Sequence, residues 1–178
     1  MDTINSQTTV EKRSVNNAPH VSLVREQMTA LSYFVIGIGN AGSQVTAAAI
    51  REGFDGFLIN SSEKDLNDSI VDSNIPAFII GNHRGAGRDR STAKEFLKDD
   101  LRNLFSNGDF ITRIEHSDII FVVASTAGGT GSGCAPLLVN RIQRMYPNKT
   151  VIFYGIMPKY SESPQAQMNT LECLKEVT

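Results

Sequence analysis

The stretch Tyr33-Phe-Val-Ile-Gly-Ile-Gly-Asn-Ala-Gly42 joins an unbroken apolar run to a glycine cluster. A strand with one wet face alternates apolar and polar residues; a run without alternation is the mark of a strand buried on both faces. The glycines after it allow backbone torsions that other residues resist and let a ligand approach the main chain. Next comes the alanine-rich segment Val45 to Glu52, suited to a helix packed close against a sheet. A helix in that position directs free N–H groups and the positive end of its dipole at an anion.

The same unit recurs along the chain. Phe57-Leu-Ile59, Ala77-Phe-Ile-Ile80, Ile119 to Ala124 and Val151 to Ile156 all read as strands. Between them lie helical stretches. Thr92 and Glu95 have the spacing of a capping box, and the helix behind them buries Leu97, Leu101, Leu104 and Phe105. A further helix runs through Met145, and a last one starts at about Pro164. Strand and helix alternate about five times, the pattern of a parallel sheet covered on both faces. The fold class is therefore α/β, a three-layer Rossmann-like arrangement. Residues 1–32 read as a polar arm, with a short helix in which Val24, Met28 and Leu31 share a face. Residues 33–178 read as one α/β domain.

Composition narrows the classes. The 178 residues are 40% hydrophobic and carry a formal net charge of -2, no electrostatic case for a nucleic-acid surface. No window approaches 18 apolar residues, so no membrane contact is expected. Two cysteines, Cys134 and Cys173, make no disulfide framework and read as reduced thiols of a cytoplasmic protein. Cys134 reads as a small buried residue. His20, His83 and His116 lack ligand spacing, so no metal site is expected. Met145 and Met157 read as core.

Two more clusters carry chemistry. Ser125-Thr-Ala-Gly-Gly-Thr-Gly-Ser-Gly133 again lies between a strand and a helix. Its amides and the hydroxyls of Thr130 and Ser132 can hold phosphate oxygens, and it lacks the lysine of a P-loop. His83-Arg-Gly-Ala-Gly-Arg-Asp-Arg90 has the glycines of a mobile loop, and Arg84, Arg88 or Arg90 can neutralise a terminal phosphate. The first cluster alone fits a dinucleotide-binding fold, but such folds want an acid about 20 residues on; Asn60-Ser61-Ser62 stands there. An NAD-dependent oxidoreductase thus remains an alternative that leaves the second cluster unexplained.

Ala127-Gly-Gly-Thr-Gly-Ser-Gly133 resembles the glycine signature of the tubulin and FtsZ superfamily. Gly39-Asn-Ala-Gly-Ser43 resembles that family's first phosphate loop, Asn60-Ser-Ser-Glu-Lys-Asp-Leu66 the segment after its second strand, and Gly85-Ala-Gly-Arg-Asp89 its γ-phosphate loop. Met157-Pro-Lys-Tyr-Ser-Glu162 resembles the loop leading to a ribose-contacting glutamate. The arginine of the third loop is closer to the plasmid- and phage-borne TubZ-like branch than to cell-division FtsZ.

The resemblance implies a GTP-binding domain of a filament-forming cytoskeletal GTPase that takes GTP or GDP with Mg²⁺. It implies that Gly39, Asn40, Ala41, Gly42, Ser43 and Gln44 contact phosphates. Ala127, Gly128, Gly129, Thr130, Gly131 and Ser132 would hold the α- and β-phosphates, Gly87 and Arg88 would lie near the γ-phosphate, and Glu162 would bind the ribose. Ala127 departs from the signature's first glycine, and Ala166 stands where FtsZ has an arginine. Self-association into filaments is implied, with a filament-binding adaptor as a further partner. The family's catalytic acid comes from the next subunit, and no catalytic residue is expected within these 178 residues. A non-catalytic GTP-binding relative that joins or caps filaments is the alternative.

Overall fold

The computed structural model describes residues 31–70 and 75–177. Of the expected N-terminal arm, all but Leu31 and Ser32 lies outside the described residues. The elements are β1 Tyr33–Ile38, α1 Gly39–Arg51, β2 Asp55–Asn60, α2 Glu63–Ser69, β3 Ala77–Ile79, α3 Arg90–Leu104, α4 Gly108–His116, β4 Ile119–Ser125, α5 Thr130–Met145, β5 Thr150–Ile156 and α6 Pro164–Val177. The five strands form one sheet in the order β3-β2-β1-β4-β5, and every pairing is parallel.

Alternate side chains of the strands point to opposite faces, and each face has its own core. On one side Phe34, Ile36, Ile38, Phe57, Ile59, Ile120, Val122 and Ala124 pack with Leu97, Leu104, Phe110, Ile114, Leu138 and Ile142 from α3, α4 and α5. On the other, Ala47 of α1, Leu58, Leu66 of α2 and Ile75 form a smaller cluster. These are the three layers expected.

The chain leaves β1 towards β2 and β3 on one side of the sheet, and leaves β4 towards β5 on the other. The switch between β1 and β4 opens a crevice at the carboxyl ends of those strands, the usual ligand position in an open parallel sheet.

Four local expectations are corrected. Helix α1 starts at Gly39, so the glycine cluster is its first turn and not a loop ahead of it. Helix α3 starts at Arg90, ahead of the expected Thr92 box, because Asp89 caps it. The Asp89 carboxylate accepts from the Ser91 amide at 2.8 Å and the Thr92 hydroxyl at 2.8 Å, and those bonds hold its pKa below the ordinary carboxylate range. Helix α4 was not expected; Asn107 caps it by accepting from the Phe110 amide, and Phe110 inserts among Phe34, Phe57 and Phe105. Met145 and Met157 are not core: they are 40% and 57% exposed, one in the last turn of α5 and the other just past β5 at the sheet edge. Cys134 is fully buried as expected, and burial pushes its thiol up to about 12.

Candidate functional site

The first turn of a helix has N–H groups without partners inside the helix, and most helices recruit a side chain to cap them. Here α2 is capped by Ser62, α3 by Asp89 and α4 by Asn107. At α6 the Ser163 hydroxyl accepts from the Ala166 amide. Among the described residues, helices α1 and α5 have no side-chain cap and no acidic residue in the first turn. These two follow β1 and β4, on either side of the switch. Their free amides and dipole ends converge on one crevice and favour an anion there.

That crevice has a volume of about 730 Å³. One wall is Gly39, Asn40 and Ala41; another is Ser125 and Gly128 to Gly131. Asn60, Ser62 and Asp65 come from the end of β2 and the start of α2, Arg84 to Arg88 from the arginine loop, and Glu162 from the loop after β5. The lining is mostly polar and backbone in character. The Ser61 and Thr130 hydroxyls meet at 2.7 Å and tie the β2 end to the second glycine turn. The Asn60 carboxamide oxygen accepts from the amides of Ser61 and Ser62. Its Nδ2 is buried without a hydrogen-bond partner among the described residues. A donor stranded beside a polar crevice is costly unless a ligand takes it up.

The arginine loop is held in an uncommon shape. Gly81, His83, Gly85, Gly87 and Arg88 all have positive φ, and His83 (65°) and Arg88 (64°) are not glycines. Left-handed torsions at side-chain-bearing residues persist only when the surroundings impose them, and they gather at functional sites. Its glycines predict mobility, yet the backbone is tied at several points. The Glu63 amide donates to His83 O, the Gly85 amide to Ser61 O, the Asp89 amide to Ala86 O, and the Gly81 amide to the Asp100 carboxylate. Successive amides in such torsions form an anion-binding concavity.

Arg90 does not do what its place in the loop predicts. Its guanidinium is 5% exposed and bound to Glu172 at 2.7 Å and Glu176 at 2.9 Å, both on α6. It also donates to the Ser132 carbonyl at 3.0 Å. Pro136 lies inside α5 and has no N–H, so Ser132 O, four residues back, lacks its helical donor. Arg90 supplies that donor. It is withdrawn from any phosphate, and Arg84 and Arg88 are the arginines on the crevice.

Residues 32–178 match the Tubulin/FtsZ family, GTPase domain. The chain belongs to that family. A relative at 30% identity over 142 residues is the tubulin-like protein TubZ of Clostridium botulinum C phage; the match covers 79% of this chain and 38% of the relative. Among solved structures, CetZ2 from Haloferax volcanii in a GTPγS-bound protofilament superposes with a TM-score of 0.73 at 28% identity, covering 83% of this chain and 46% of that one. The GDP-bound monomer of CetZ1 from the same organism gives 0.73 at 28% identity, covering 83% and 48%. The chain spans less than half the length of these tubulin-like relatives.

Placed on this member of the tubulin/FtsZ family, the expected site residues fall into two groups. Gly39, Asn40, Ala41, Gly87, Arg88, Gly128, Gly129, Thr130, Gly131 and Glu162 line the crevice. Gly42, Ser43, Gln44, Ala127 and Ser132 do not. Gly42 and Ser43 are buried, and a Cβ on Gly42 would strike the Val123 carbonyl. Gln44 donates to the Asn40 carboxamide at 2.9 Å and so orients a lining residue. Ala127 is buried, and the buried Ser132 hydroxyl turns back to Gly128 O. The sequence reading missed Asn60, Ser62 and Asp65 as lining groups. The alternation of β2 and the Ser62 cap were signals for their direction. It also missed Asn169, for which a single sequence gives no signal, because its partners lie 42 and 81 residues away.

Proposed function

We propose that this chain is the nucleotide-binding domain, residues 33–178, of a filament-forming GTPase, preceded by an arm over residues 1–32. The observation that carries the reading is the pair of uncapped helix N-termini facing one crevice while the remaining helices are capped. Amides of Gly39 to Ala41 and of Gly128 to Gly131 grip the α- and β-phosphates of GTP or GDP. The Asn60 Nδ2 gains an acceptor. Arg88 and the amide at Gly87 meet the γ-phosphate, and Glu162 takes the ribose. The Glu162 carboxylate already accepts from the Lys159 amide, which fixes its loop. Gly42, Ser43, Gln44, Ala127 and Ser132 support those groups from behind.

The acids on the crevice, Asp65 and Glu162, do not form a cluster of three metal-binding groups among the described residues. That fits Mg²⁺, which needs few carboxylates when phosphates share it. The ion, when bound, neutralises charge on the phosphates.

Like the CetZ2 relative in its protofilament, this protein assembles with copies of itself, and an adaptor joins the filament. No direct contact with nucleic acid is proposed. Among the described residues no helix is long and apolar enough to cross a membrane, and we place the protein in the cytoplasm. Hydrolysis is completed by an acidic residue of the next subunit. The test is a titration of the chain with GDP, GTP and NAD, with phosphate release followed in parallel. Saturable guanine-nucleotide binding with turnover close to the blank is expected. Tight NAD binding, or rapid hydrolysis by monomeric chain, would contradict it.

A further inference from the structure

The arginine loop and the second glycine turn pack side by side at the crevice, with Gly129 against Arg88, and among the described residues no backbone hydrogen bond joins them. Two side chains do: Arg90 at the far end, through its bond to Ser132 O, and Asn169 beside the crevice. Asn169, on α6 and 2% exposed, is outside the crevice lining. Its Nδ2 donates to Arg88 O at 3.0 Å and to Ala127 O at 3.0 Å, with Gly128 O at 3.5 Å. Gln165 Nε2 donates to the Asn169 Oδ1 at 2.9 Å, which fixes the direction of the amide.

The chemistry selects asparagine. A carboxamide nitrogen has two hydrogens, one for each loop. Serine or threonine offers one, and an ionised aspartate none. The bond at Arg88 O falls on a residue at φ 64°, a conformation that needs outside support. The bond at Ala127 O falls where the second turn begins. Asn169 therefore ties the group assigned to the γ-phosphate to the group assigned to the β-phosphate, where the Gly129 contact brings the two backbones together.

We infer that Asn169 is a positioning residue that gives the site its preference for a nucleoside triphosphate over a diphosphate. The inference rests on the guanine-nucleotide reading above. Release of the Arg88 end alone spares the diphosphate, whose oxygens sit against the helix amides.

The test compares GDP and GTPγS affinities of wild type, Asn169→Ser, Asn169→Leu and Gln165→Ala by calorimetry, with unfolding midpoints measured alongside. Asn169→Ser should lose roughly tenfold in GTPγS affinity and less than threefold in GDP affinity, with Asn169→Leu at least as severe. Gln165 is exposed, so Gln165→Ala folds and should move the same ratio by roughly twofold to threefold; it carries the test if the Asn169 variants unfold. Equal losses for both nucleotides would make Asn169 a fold support and overturn the inference, as would no change. Wild type that binds neither nucleotide would overturn the site reading itself, a different and recognisable failure.

Discussion

The two glycine turns look alike in sequence and do different work. In the first, Gly37 and Gly42 are packing residues. A Cβ at Gly37 would lie 2.5 Å from Gly42 O, and one at Gly42 would strike Val123 O. These glycines bring α1 directly onto β1 and β4, and Gly39, at φ 71°, turns the chain into the helix. In the second turn, a Cβ at Gly129 would lie 2.8 Å from the Arg88 carbonyl carbon and one at Gly133 would lie 2.6 Å from Arg90 O. Those glycines let the arginine loop close against the helix. A Cβ at Gly128 would meet nothing among the described residues within 4 Å. The difference teaches that a glycine cluster is not a count of ligand contacts. Most of its members seat one piece of backbone on another, and the amides left over face the crevice.

The contrast can be broken most forcefully at Gly42. Its new Cβ in Gly42→Ala would meet backbone that cannot rotate away, so α1 must lift from the sheet. A loss of about 3 kcal/mol or more is expected in a denaturant melt; a loss below about 1 kcal/mol would mean α1 is not seated there by its glycines.

Arg90→Ala comes next, at about 2 kcal/mol. It orphans Ser132 O, while the freed carboxylates of Glu172 and Glu176 are open enough to water to soften the cost. Pro136→Ala restores the helical N–H to Ser132 O. The two substitutions should therefore couple in a double-mutant cycle; strict additivity would remove the explanation offered for Arg90.

A smaller effect follows the pH. Burial disfavours the ionised Glu176, but hydrogen bonds and charge from Lys94 and Arg90 outweigh it and hold its pKa below 4.5. A depressed folded-state pKa stabilises above the unfolded value, and that stabilisation is lost as pH falls through the folded one. The unfolding midpoint should drop on acidification below about pH 4.5, and Glu176→Gln should flatten that limb. Parallel acid limbs in the two proteins would exclude the ion pairs of Glu176 with Arg90 and Lys94 as their source.

Gly128→Ala sharpens the comparison from the other end. Stability should stay within about 0.5 kcal/mol, while GDP affinity falls roughly tenfold, about 1.4 kcal/mol. Unchanged affinity would show that Gly128 is not at the ligand surface.

The parallel sheet was legible because its strands are continuous apolar runs from Tyr33, Ile119 and Val151 onward. The crevice was legible in outline because both glycine turns directly follow such strands. What stayed hidden depends on partners distant in sequence. Arg90 reads as a loop cation until Glu172, Glu176 and a proline-freed carbonyl come to it. Asn169 reads as an ordinary helical residue until two loops meet it. Helix α4 was lost for a local reason: Asn107 and the spacing of Phe110 and Ile114 are cap and face, but the stretch is only nine residues long. Met145 and Met157 misled because apolar character does not say which end of an element is covered.

The central claim is that both uncapped helix starts hold one phosphate chain. Amide NMR of the chain with and without GDP tests it most directly. The largest shifts are predicted at Gly39 to Ala41 and at Gly128 to Gly131 together, with the Phe110 amide, already capped by Asn107, unmoved. Shifts confined to one turn, or absent from both, would contradict the account.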